Sequence, residues 1–216
     1  MDTRGDRILA EQVAYYRARA QEYDETWHGG HDPELIAALD AAEPRGRVLE
    51  LACGTGAWTQ SLVRHPVTSI LAVDAAPEML AIHAQRVPDP RITRLRADLF
   101  RWQPPDRFDF VTFAAWLSHV PPARFASFWA MVASALADDG RVFLIDQDLR
   151  GMTLERPSDD PDYPTVTRPL PDGSTMTAVK VYHRPAALAA SLTELGWTVR
   201  WGLVHDGLFW AEATRR

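Results

Sequence analysis

The sequence is short of several things, and each shortage excludes something. It holds one cysteine, so no internal disulfide can form, and a reducing cytoplasm is the expected setting. It has very few lysines, its arginines form no dense basic cluster, and its formal net charge is −6, so no nucleic-acid partner is expected. No apolar run approaches a membrane span, and the amino-terminal MDTRGDRILAEQ lacks the apolar core of a signal peptide, so no membrane partner is expected either. Repeats and low-complexity tracts are missing. What remains is 216 residues, 46% hydrophobic and 24% charged: one domain, with core enough to need no metal or disulfide staple. The skew towards Arg, Ala, Pro and Trp reflects a GC-rich genome and carries no chemistry.

From residue 46 onward short apolar runs alternate with helical patterns. RVLELA, SILAVD, RITRLRAD, FDFVTFAA and GRVFLIDQ read as strands. The intervening helices are expected at 57–64, at 77–86 with Pro77 in the first turn, and at 122–137. Such alternation means parallel strands with crossovers, hence a doubly wound α/β sheet. An amino-terminal helix covers 7–24, and a later one covers 185–195, ended by Gly196. WTVRWGLV and GLFWAEAT follow as two antiparallel strands. Between them and the fifth strand lies an insertion, 149–183, that the sheet does not need. Its TVTRPLPDGSTMTAVKVY reads as a hairpin turning at Pro171-Asp172-Gly173. Inserts at one end of a scaffold often carry binding function.

The stretch VLELACGTGAW joins the first strand of the alternating unit to its first helix, where open α/β sheets bind ligands. A strand-to-helix turn needs one glycine at most, so Gly54 and Gly56 suggest close backbone approach by a ligand. No Lys-Ser/Thr follows, which excludes a phosphate-gripping loop. The third glycine of a dinucleotide fingerprint is also missing, since Thr59 stands beyond Gly56. The second strand ends in Asp74, an acid placed for ribose hydroxyls, and the third in Asp98, able to accept from an exocyclic amine. Acids after three successive strands without a phosphate clamp describe an amino-bearing nucleoside without phosphate.

ELACGTG, VDAAPEML, ADLF and FDFVTFAAWLSHVP together resemble the motifs of class I S-adenosylmethionine-dependent methyltransferases, over about Val48 to Asp148. The resemblance implies a Rossmann-like, mostly parallel seven-stranded sheet with an antiparallel carboxyl-terminal strand. One methyltransferase domain is expected over 1–216, with a helical lid at 1–45 and the hairpin insertion near the acceptor. It implies S-adenosylmethionine as cofactor, with S-adenosylhomocysteine as product. Glu50, Gly54 and Gly56 would lie near the methionine part, Asp74 on the ribose, Asp98 with Leu99 around the adenine, and Met79 packed on it. Ala52, Trp58, Ala75 and Ala114, from the same loops, complete that set. AYYRARAQEYD, WLSHVP, TRPLPDG and VKVYHRPAAL are further similar to small O-methyltransferases of antibiotic pathways, the phosphonate-methylating kind in particular.

Tyr15, Arg19 and Tyr23 recur at steps of four. They read either as a solvated arginine between packing tyrosines or as a lid meeting the cofactor's carboxylate. His119 follows the fourth strand, where the acceptor sits, and is structural, a base or an anion ligand. Trp116 shapes either pocket or core, and Trp27 belongs to a stretch expected near the acceptor. A three-residue hairpin loop would pair Leu170 with Ser174 and Arg168 with Met176, and put Arg168 and Lys180 on one face. There they are either solvated edge charges or an anion clamp, whereas a two-residue loop would separate them. The expected activity is O-methylation of a small anion, phosphonate or carboxylate. N-methylation of a small amine, a non-catalytic cofactor-binding module and a nicotinamide oxidoreductase are the alternatives. A small-molecule acceptor, no metal, and a monomer or homodimer complete the expectation.

Overall fold

Four helices open on a proline: α2 (Pro33–Ala42), α4 (Pro77–Arg86), α5 (Pro122–Ala135) and α6 (Pro185–Glu194). At the first helical position the ring's fixed φ suits the helix, and its missing N–H would have had no partner. The structure is a computed structural model and describes residues 2–25, 32–150, 155–170 and 172–216. Asp32 also caps α2, its carboxylate accepting from the amides of Glu34 and Leu35 at 2.9 and 3.1 Å. Asp2 likewise caps α1 (Thr3–Arg19), which tightens at its end into a 3₁₀ segment, Ala20–Glu25. The helix expected at 57–64 is a single turn, α3 (Thr59–Leu62).

The strands are β1 (Gly46–Leu51), β2 (Val67–Asp74), β3 (Ile92–Arg96), β4 (Phe108–Ala114), β5 (Leu136–Gln147), β6 (Thr165–Pro169), β7 (Thr175–Val179), β8 (Trp197–Leu203) and β9 (Leu208–Arg215). Seven of them form one sheet in the order β3-β2-β1-β4-β5-β9-β8, in which β9 runs opposite to the other six. This is the doubly wound architecture that the alternation implied. Its central strands are buried on both faces, so they read as continuous apolar runs. Leu49, Leu51, Val111 and Phe113 pack with α5 and α6. Val48, Phe110, Phe143 and Ile145 pack with α2 and α3 on the other side. α5 stops two residues earlier than expected, because Leu136 is already extended and starts β5.

β6 and β7 form a separate hairpin. Leu170 N–H meets Ser174 O at 2.8 Å, Gly173 has φ +83°, and Arg168 pairs with Met176, the register of a three-residue loop. Pro171 lies outside the described residues. The hairpin hangs beneath α1, where Glu11 and Gln12 accept from the amides of Thr177 and Val179. It rejoins the sheet through Val181 N–H to Ser118 O and a bridge between Asp148 and His183. Of the described residues in the stretch 1–45, Leu35, Leu39 and Ala42 of α2 belong to the covering layer of the sheet, and the segment 2–25 overhangs the strand ends. Among the described residues, no helix is long and apolar enough to cross a membrane, and no cluster of His, Cys, Asp and Glu suits a metal.

Candidate active site

A cavity of about 1130 Å³ opens at the carboxyl ends of β1 to β4, where the strand order reverses. Ala52 and Gly54 enter it after β1, Asp74, Ala75 and Met79 after β2, and Asp98 and Leu99 after β3. Ala114, Trp116 and His119 enter after β4, and Tyr16 and Tyr23 close it from the amino-terminal segment. Ala52 and Ala115, at the ends of β1 and β4, are both left-handed, with φ 50° and 52°. For residues with a Cβ this is a strained state, of a kind that gathers at ligand sites.

Asp74 is half-buried, and its two oxygens accept from the amides of Gly54 (2.9 Å) and Ala76 (2.8 Å). Burial raises its pKa more than these amides lower it. Each oxygen keeps a second lone pair, enough to accept from the hydroxyls of a ribose. Asp98 is half exposed and holds the Phe100 amide at 2.9 Å. The two glycines prove to have different reasons. A Cβ on Gly54 would meet nothing nearer than Tyr23, at 4.0 Å, so its backbone is open to a ligand. A Cβ on Gly56 would come within 3.0 Å of the His83 ring, so this glycine serves packing.

Several expected residues turn elsewhere. Glu50 is buried beside Thr59. Trp58 stacks on Phe143, their rings 6.2 Å apart, and sends its N–H to Thr112. Tyr15 lies under the Arg168 guanidinium, and Arg19 pairs with Glu22 at 3.6 Å. The step of four does not carry from Tyr15 through Arg19 to Tyr23, because the chain tightens into the 3₁₀ segment after Arg19. Tyr16, not Tyr15, faces the cavity. The sequence signal for this face is the stripe Leu9, Gln12, Val13, Tyr16, which keeps helical spacing along the cavity wall. Trp27 lies outside the described residues.

Between α1, the hairpin and the segment after β4 the hydrogen bonds have a fixed direction. His119 Nδ1 stands 2.7 Å from Val179 O, which can only accept, so Nδ1 carries the hydrogen. Nε2 therefore offers its lone pair to the Tyr16 hydroxyl, at 2.7 Å. Burial, with the charges of Lys180 and Arg168, holds the His119 pKa well below the ordinary range, so the ring is neutral. Burial pushes Tyr16 up to about 12. Arg168 donates to the Tyr16 hydroxyl at 3.1 Å and makes a two-pronged bond to Glu155, both prongs 2.6 Å. Lys180 is the only lysine in the sequence, and it is 3% exposed. Its Nζ donates to Ser118 Oγ and Gln147 Oε1 and lies 4.8 Å from the Tyr182 ring centre, so these contacts are all uncharged. Burial lowers its pKa, while Asp146 and Glu155 oppose this from a distance. Trp116 borders the same region, and its buried indole N–H has no hydrogen-bond partner among the described residues.

Comparison with known proteins agrees with this geometry. A family described as "Methyltransferase domain" matches residues 48–140. The structure of a DhpI–SAH complex superposes with a TM-score of 0.84 at 37% identity, over 96% of this chain and 97% of that one. A DhpI–SAM–HEP complex gives 0.80 and 38% over the same shares. A trans-aconitate 2-methyltransferase of Methylobacterium nodulans is 34% identical over 127 residues, 58% of this chain and 45% of its own. A malonyl-[acyl-carrier protein] O-methyltransferase of Paenibacillus sp. is 38% identical over 89 residues, 37% of this chain and 32% of its own. The chain thus spans 32% to 45% of the length of these curated relatives. It belongs to the class I S-adenosylmethionine-dependent methyltransferases, whose cofactor is S-adenosylmethionine.

Proposed function

We propose that the chain methylates an oxygen of a small anion, a phosphonate or a carboxylate, in an antibiotic or other secondary pathway. The observation that carries this reading is Lys180. A chain that otherwise uses arginine for its long cations buries its one lysine against Ser118, the neighbour of the cavity-lining His119, with uncharged groups hydrogen-bonded to the ammonium. A buried ammonium without an adjacent anion is costly, and an anionic acceptor would relieve that cost. Relatives named for trans-aconitate and for malonyl-[acyl-carrier protein], both bearing carboxylates, support the same class.

Gly54, Asp74, Met79 and Asp98 would hold the cofactor, which supplies a methyl group on a sulfonium. The open backbone at Gly54 and the spare lone pairs of Asp74 suit it. The chain's own task is then alignment, which can contribute about 7–11 kcal/mol. An ionised oxygen needs no base, and the neutral His119, its lone pair committed to Tyr16, is a poor one. His119 and Tyr16 would shape the acceptor's seat, Lys180 would hold its charge, and Arg168 would tune that seat through Tyr16.

The test is steady-state kinetics of Lys180→Met with the best acceptor from a panel of phosphonates, carboxylates, phenols and amines. Its kcat/KM should fall about ten- to a hundredfold, the loss of one hydrogen bond to a charged group. S-adenosylhomocysteine affinity should not change. Wild-type acceptor kinetics in the variant, or a neutral or cationic best acceptor, would sink the reading.

A further inference from the structure

Behind the glycine loop, on the side away from the cavity, four side chains form a one-way chain of hydrogen bonds. Arg94 Nε donates to His83 Nδ1 at 2.8 Å. A guanidinium has no acceptor, so Nδ1 must carry the lone pair and Nε2 the hydrogen. Nε2 donates to Thr59 Oγ1 at 2.9 Å, and the Thr59 hydroxyl donates to Glu50 Oε2 at 2.7 Å. His83 and Thr59 are 0% exposed and Glu50 is 1% exposed. Around them lie Cys53, Trp58 and Leu62 of the apolar layer between the sheet and its helices. Polar groups in such a layer lose solvation unless each finds its partner, so an aliphatic filling would be the simpler core.

The endpoints of this chain explain its presence. Glu50 stands near the end of β1, and Thr59 opens α3, so their bond closes the loop that carries Gly54 and Gly56. The His83 ring also lies against Gly56, where a Cβ would come within 3.0 Å. Arg94 fixes the far edge of the ring and itself donates to Val87 O at the end of α4. We infer that His83 is a positioning residue of the cofactor site: held by Arg94, it acts through Thr59 on Glu50 and keeps the glycine turn in its ligand-receiving form. The inference concerns the cofactor side alone and stands whatever the acceptor is. Burial and Arg94 keep the His83 pKa down at about 4, so the ring retains its accepting nitrogen at neutral pH.

Thr59→Val keeps the shape and removes the hydroxyl, whereas Thr59→Ser keeps the hydroxyl. Calorimetric titration with S-adenosylhomocysteine should show Thr59→Val about tenfold weaker or more, as expected when a buried carboxyl group loses its donor. Thr59→Ser should stay near wild type. With saturating S-adenosylmethionine, kcat of Thr59→Val should be retained while its cofactor KM rises. A folded Thr59→Val with wild-type affinity would overturn the inference, as would a Thr59→Ser that loses as much as Thr59→Val. If Thr59→Val does not fold, Arg94→Met, altered at the outer end of the chain, decides: weakened binding is expected, and wild-type affinity overturns the inference.

Discussion

Gly54 and Gly56 are two residues apart and both left-handed, with φ +54° and +84°, yet they should respond differently to the same change. A methyl group on Gly54 meets open space, so Gly54→Ala strains the backbone and obstructs the ligand. A methyl group on Gly56 strains the backbone and also presses on a fully buried ring. Gly54→Ala should therefore lose cofactor affinity with a small fall in melting temperature. Gly56→Ala should lose several degrees even without ligand. Equal melting temperatures for the two would contradict this division, which spacing alone did not reveal. Both glycines were legible as a ligand motif, because a Gly-x-Gly at a strand-to-helix turn is a local signal. That His83 sits beneath only one of them depends on how α4 packs, which no local pattern states. The register that sets Arg168 opposite Met176 was legible because hairpin parity is local too. The hold of Glu155 on Arg168 was not, since it depends on how the chain folds back across a separation of 13 residues.

Among the elements, the amino-terminal segment is fastened over the cavity by contacts that suit opening and closing. Asp24 accepts from the Thr55 hydroxyl at 2.7 Å and pairs with Arg86, which also donates to Thr55 at 2.8 Å. Arg17 grips Glu78 with both prongs, but on an exposed surface. Exposed pairs contribute about 0–1 kcal/mol, so this grip is weak. Thr55 lies between the two glycines, so the fastening reads the state of the cofactor loop directly. Amide exchange over Thr3–Glu25 should slow when S-adenosylhomocysteine is added. Asp24→Ala should speed exchange there and weaken that ligand. Unchanged exchange in this segment, with protection elsewhere, would rule out a lid. Strands and helices were readable because prolines, glycines and apolar periods mark them in place. The phase of α1 was not, because the partner that selects Tyr16 over Tyr15 for the cavity is a hairpin some 150 residues away.

For the whole molecule, two buried groups pull stability in opposite directions with pH. Burial raises Glu50 from its ordinary 4.5 to about 8, although the Thr59 hydroxyl opposes this. Folding therefore favours its protonated form, and the contribution of Glu50 falls as pH climbs from 4.5 through about 8. Burial lowers His83 from 6.5 to about 4, so its contribution is lost as pH falls through that window. Glu50→Gln removes the alkaline limb and leaves the acid one. The unfolding free energy of the ligand-free variant, from urea titration, should gain on wild type steadily between about pH 5 and 8.5, by an amount on the order of a few kcal/mol. A difference that does not vary with pH would show that Glu50 is ionised throughout.

The solitary lysine has one more consequence, for chemical labelling. Apart from the terminal amine, the chain offers amine-directed reagents a single target, and that target stands where the acceptor is proposed to bind. Reductive methylation with isotopic formaldehyde would place one side-chain label, giving one resonance that reports on that seat. Because Lys180 is sheltered, the speed of its modification measures how often the interior opens.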